Sequence, residues 1–149
     1  MKKKTEPVVI LMAEDDPDDR LLSKDALEEA HLVNDLRFVT NGEELMDYLY
    51  KRAAFEDCTS CPRPGLILLD LNMPLKDGRE ALKEIKADPN LRIIPVVVLT
   101  TSKAEEDILK SYDLGVSGYI TKPVTFDGLI NVMRTLGKYW LQIVELPPS

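Results

Sequence analysis

Five residues in this chain have the type and placement to do chemistry together: Glu14, Asp15, Asp70, Thr100 and Lys122. Asp70 ends an abrupt apolar run, Gly65-Leu-Ile-Leu-Leu69, and Leu-Asn-Met-Pro74 follows it. Four large aliphatics bounded by turn formers read as a strand buried on both faces, as in a parallel sheet. A carboxylate at the end of such a strand lies in the crevice at the carboxyl edge, where open α/β sheets place their ligands. Glu14 and Asp15 follow another apolar run, Val8–Ala13, while Thr100 closes Pro95-Val-Val-Val-Leu-Thr and Lys122-Pro123 follows Gly118-Tyr-Ile120. Three carboxylates converging on one pocket repel one another by several kcal/mol unless a cation neutralises them. Oxygen donors of this kind select Mg²⁺, with water completing the octahedron. A lysine and a hydroxyl beside that ion suit the oxygens of a phosphoryl group.

The elements that must position these residues alternate regularly. A strand at Val8–Ala13 is followed by a helix from Pro17 to about Ala30, with Leu22, Ala26 and Ala30 at helical spacing. Leu36–Val39 reads as a short strand near an edge, because it admits a charge, and Gly42–Lys51 as a second helix carrying Leu45 and Leu49. Residues 52–64 mix charges, cysteines and prolines without periodicity and read as an insertion loop. Leu66–Leu69 is the third strand, and Gly78–Ala87 a helix with Ala81, Leu82 and Ile85 on one face. Pro95–Thr100 is the fourth strand; Ser102 opens a fourth helix that Gly115 ends. Gly118–Ile120 is the fifth strand, and the last helix runs from Phe126 to Trp140 through Leu129, Val132, Met133 and Leu136. Five such βα units give a parallel sheet covered on both faces. At 149 residues one domain is expected, its core spanning about 8–140, with an apolar tail at 141–149.

The ordered set Glu14-Asp15, Asp70-Leu-Asn-Met-Pro74, Lys76-Asp-Gly78, Thr100 and Tyr119-Ile-Thr-Lys-Pro123 resembles the receiver domain of two-component response regulators. The likeness runs from about Val8 to Gly137. It implies a flavodoxin-like three-layer α/β sandwich with strand order 2-1-3-4-5. It also implies that Asp70 accepts a phosphoryl group from the phosphohistidine of a histidine kinase. Asp15 would bind Mg²⁺ directly, Asn72 through its backbone carbonyl, and Glu14 through a coordinated water. Lys122 would pair with the phosphoryl oxygens, the Thr100 hydroxyl would hydrogen-bond one of them, and Tyr119 would turn inward as Thr100 moves. Family members usually hold the bond before the residue equivalent to Pro123 cis, which aims the lysine into the pocket. Glu14 stands where aspartate is commoner, a variant that the family tolerates with the function intact; Thr101 stands where a smaller residue is usual, and its bulk beside the phosphoryl group leaves the phosphate lifetime open.

A narrower likeness, to stand-alone regulators paired with phytochromes, comes from the 52–64 insertion, Lys76-Asp-Gly-Arg-Glu80, Val96-Val-Val-Leu-Thr-Thr-Ser102 and Tyr139-Trp-Leu141. It implies a light-sensing kinase as partner and a homodimer through the face of helix 4, strand 5 and helix 5. Tyr139, Trp140, Leu141, Ile143, Val144 and Leu146 would either extend that contact or fold back on their own domain.

The remaining features exclude more than they suggest. A net charge of −7 opposes nucleic-acid binding, and the basic start Met1-Lys-Lys-Lys4 is followed by no apolar core of a secretion signal. No apolar run approaches the roughly 20 residues of a membrane span, so a cytoplasmic protein is expected. Cys58 and Cys61 lack the further ligands of a zinc site and are expected to be free thiols; His31, the one histidine, reads as a surface or capping residue. Asp16, Asp18 and Asp19 suit the positive end of the first helix rather than the pocket. An aspartyl phosphatase of the haloacid dehalogenase type would need a second acid where Asn72 stands, which disfavours an enzyme. A phosphorylation-independent module would be expected to lack Asp70, Thr100 or Lys122. A relay that passes its phosphoryl group onward uses the same residues as a switch.

Overall fold

The computed structural model describes residues 8–29, 34–57, 61–70, 78–100, 104, 115–121, 123 and 125–136. Strands β1 (Val8–Ala13), β2 (Asn34–Val39), β3 (Leu66–Asp70), β4 (Val96–Thr100) and β5 (Gly118–Thr121) form one sheet in the order β2-β1-β3-β4-β5. Every neighbouring pair is parallel. β3 and β4 are buried along their whole length, as unbroken aliphatic runs require between two helical layers. One face packs Leu11, Ile67, Leu69, Val96 and Val98 against Leu45, Met46, Ala81, Leu82 and Ile85; the other packs Ile10, Leu68 and Val97 against Ala26, Leu27, Met133 and Leu136. The helices with described bounds are α1 (Pro17–Glu29), α2 (Gly42–Tyr50), α3 (Gly78–Ala87) and a last helix, Phe126–Leu136. Of the helix expected after Ser102 only Ala104 is described, and it is helical; the stretch 137–149 and His31 lie outside the described residues.

Two expectations need correction. The inward face of α1 is Ser23, Ala26 and Leu27, while Leu22 is left 43% exposed. Small residues at i and i+3 let α1 lie close to the last helix, and that close approach outweighs the leucine spacing. Cys61 is disulfide-bonded and buried in the core rather than a free thiol; Cys58, the other cysteine, lies outside the described residues.

The described part of the insertion is held more firmly than its composition suggests. Lys51 takes a left-handed conformation that ends α2 one residue early, and a 3₁₀ turn, Ala53–Phe55, follows. Tyr48 stacks edge-on against Phe55 at 5.2 Å and donates its hydroxyl to the Pro62 carbonyl at 2.8 Å. Burial pushes the Tyr48 phenol up, so it remains a donor through the neutral range. β2 lies at the sheet edge, where Arg37 grips Asp35 through two bonds of 2.9 and 3.0 Å. The Arg37 guanidinium holds the Asp35 carboxyl below its ordinary value.

Candidate functional site

The register of the sheet decides what meets at its carboxyl edge. Ala13 pairs with Leu69, so Glu14 and Asp70 leave β1 and β3 side by side, with Asp15 one step further out. Asp70 pairs with Leu99, which places Thr100 one position beyond it on β4, and Thr100 pairs in turn with Thr121 on β5. Glu14, Asp15 and Asp70 each offer a carboxylate oxygen, and these oxygens lie within 4.8 Å of one another. Glu14 is 1% exposed and Asp70 5%, whereas Asp15 is exposed. The cluster is therefore a buried pair opened to solvent on the side of Asp15.

Local structure fixes each carboxylate. The Glu14 N–H donates to the Val39 carbonyl at 2.9 Å, which anchors the β1 end against β2. The Glu14 side chain accepts from the Asp16 N–H at 3.2 Å. Asp16 caps α1, accepting from the N–H groups of Asp18 at 2.8 Å and Asp19 at 3.4 Å. This confirms its helix role in a more specific form than dipole attraction, since a side-chain cap of this kind contributes about 1 kcal/mol. Across the edge, Asn41 caps α2 through Glu44 N–H at 2.7 Å, and Glu44 reaches back to the Thr40 N–H and hydroxyl. Such reciprocal capping holds the loop after β2 close to the acidic residues.

Oxygens a few ångströms apart match the separations across the coordination shell of a small divalent cation, where metal–oxygen distances are about 2.0–2.6 Å. With three carboxylates as the donor set, the pocket suits a hard cation better than a soft one. Thr100 is fully buried, its hydroxyl 3.4 Å from the Ile120 carbonyl oxygen and 3.5 Å from the Thr121 hydroxyl oxygen. Tyr119 is partly buried against the core face that holds Val96 and Val98.

Of the residues singled out from the sequence, the structure brings together Glu14, Asp15 and Asp70 and sets Thr100 on the neighbouring strand. Asn72, Thr101 and Lys122 lie outside the described residues, and with Lys122 the bond preceding Pro123. Thr121 joins the residues at this edge through a contact with Thr100 that exists only because β4 pairs with β5. No helix among the described residues is long and apolar enough to cross a membrane.

Comparison with known proteins agrees with this geometry. Response regulator Rcp1 of Synechocystis sp. is 43% identical over 143 residues, covering 96% of this chain and 95% of that protein. The crystal structure of the phosphorylated cyanobacterial phytochrome response regulator RcpA superposes with a TM-score of 0.82 at 42% identity, covering 95% of this chain and 99% of that one. The Mn²⁺-bound form of Rcp1 gives 0.80 at 42% identity, covering 95% and 100%. The response regulator receiver domain matches residues 10–134, and the chain belongs to that family.

Proposed function

We propose that Asp70 takes the phosphoryl group from the phosphohistidine of a sensor histidine kinase, and that the chain then signals through altered protein contacts. The observation that carries this reading is the Asp70 carboxylate at the end of the central strand, with two further carboxylates within 4.8 Å and a buried hydroxyl on the adjoining strand. An Asp70 oxygen would attack phosphorus in line; the P–N bond breaks, and the imidazole nitrogen leaves with the electron pair. Asp15 and Asp70, with the Asn72 carbonyl, would hold Mg²⁺, and Glu14 would act through a bound water. When bound, that ion neutralises the phosphoryl oxygens. Lys122 would pair with one of those oxygens and Thr100 would donate to another. Positioning and charge neutralisation are most of what such a transfer requires. The protein would process only its own phosphoryl group. Tyr119 would turn inward as Thr100 moves, a shift whose size is set by the difference in contacts between the two states.

The likeness to phytochrome response regulators supports a phytochrome as the upstream kinase, and we infer a cytoplasmic setting. Incubation with acetyl phosphate and Mg²⁺ is expected to add a single group of about 80 Da, read by intact mass. No adduct under saturating acetyl phosphate would overturn the assignment.

We also place a homodimer on the face of the helix expected after Ser102, β5 and the last helix. A symmetric interface buries the same patch twice, so a modest surface suffices. Light scattering of the full chain is expected to give twice the monomer mass at tens of micromolar. A monomer both with and without a beryllofluoride phosphoryl mimic would rule the dimer out.

A further inference from the structure

Thr121 stands in contact with the one buried hydroxyl the proposed chemistry needs, yet nothing in that chemistry uses it. β4 and β5 pair so that Thr100 faces Thr121, and residues in register on parallel strands share a face of the sheet. Tyr119, two positions earlier on β5, shares that face and pairs with Val98. The Thr100 hydroxyl carries one hydrogen. It meets two acceptors on β5, the Ile120 carbonyl at 3.4 Å and the Thr121 hydroxyl at 3.5 Å. Both distances lie at the long end of the hydrogen-bond range, so each contact is weak and easily exchanged. Thr100 is itself fully buried, so water cannot readily replace an acceptor that it leaves.

We propose that Thr121 is a positioning residue that sets the phosphorylation threshold, by offering the Thr100 hydroxyl a resting partner on β5 in competition with a phosphoryl oxygen on Asp70. The proposal rests on the assignment of Asp70 and Thr100 given above. Phosphorylation would transfer the Thr100 hydrogen bond from β5 to the phosphoryl group. That exchange frees the β5 face on which Tyr119 also stands. The more strongly β5 holds the hydroxyl, the less of the switched state a given phosphoryl group can populate. A hydroxyl at position 121 is thus a resistance built into the switch, and an isosteric apolar residue there lowers it.

The test is a double-mutant cycle on the full chain, titrating beryllofluoride in the presence of Mg²⁺. Thr121→Val keeps the β-branched shape and removes the acceptor. It is expected to bind the mimic about two- to fivefold more tightly, the size of one weak neutral hydrogen bond. Thr121→Ser restores the hydroxyl and is expected to return to the parental affinity. Thr100→Val is expected to bind about tenfold more weakly, and in that background Thr121→Val should change nothing. Unchanged or weaker binding by Thr121→Val overturns the proposal, as does an equal gain in both Thr100 backgrounds. If Thr121→Val does not fold, Thr121→Ala must show the same gain, and its absence is equally decisive. Loss of affinity in Thr100→Val together with no gain at position 121 leaves the Asp70–Thr100 reading standing and removes Thr121 alone. Retention of full affinity by both Thr100→Val and Asp70→Asn would instead remove the underlying reading.

Discussion

Asp70→Asn is expected to abolish the acetyl phosphate adduct completely while leaving the fold intact. The amide has nearly the shape of the carboxylate but lacks its nucleophilic oxygen. The same change should have a second effect of opposite sense. With no divalent cation present, Glu14, Asp15 and Asp70 gather three carboxylates with oxygens within 4.8 Å, two of them almost fully buried. Removing one like charge from that group relieves repulsion, and a gain of about 1 kcal/mol in unfolding free energy is expected in chelator. Added Mg²⁺ should stabilise the parent protein, because an ion that binds only the folded state adds its binding energy to the folding balance, and should stabilise the variant less. Urea unfolding in chelator and in Mg²⁺ reads both effects. A surviving adduct would move the phosphoacceptor elsewhere; a variant less stable than the parent in chelator would show that the cluster is not repulsive.

The largest loss of stability is expected at the strand that presents Asp70. Ile67 is fully buried in β3, paired in register with Leu11 on one side and Val96 on the other. Truncation to alanine removes transfer free energy and leaves a cavity that two flanking strands cannot close, at a cost of about 2–5 kcal/mol. For a chain of this size that lowers Tm by about 10 °C. Ile93, 73% exposed, is the matched control, and Ile93→Ala should lie within about 0.5 kcal/mol of the parent. A loss below about 1 kcal/mol at Ile67 would mean that the core relaxes around the gap.

The residues differ in how much of their role could be read from the chain alone. β3 and Asp70 were legible because an unbroken aliphatic run has few places to go except the middle of a parallel sheet, and a carboxylate at its end must then lie at the edge. The buried face of α3 was legible from the helical spacing of Ala81, Leu82 and Ile85, whereas the strand order came only with the resemblance to receiver domains. The inward face of α1 was not legible. Leucine periodicity favoured Leu22, whereas packing against the last helix favours the small side chains of Ser23 and Ala26, and that is a property of two helices together. Thr121 was invisible for a related reason: its partner lies across a parallel pair joined by a long crossover, and neither strand's own residues name it. The bond at Cys61 escaped because a Cys-x-x-Cys pair followed by two prolines carries no local sign of its oxidation state.

The insertion enters β3 at its amino end, with Gly65 N–H bonded to the Val9 carbonyl, while Asp70 closes the opposite end of the same strand. Five residues at about 3.3 Å each separate the two ends. Tyr48 and Pro62 tie the end of the loop to α2. An affinity handle or a fluorescent reporter attached at the exposed Glu56 would therefore sit toward the amino end of β3, available for engineering a sensor whose readout does not interfere with the chemistry it watches.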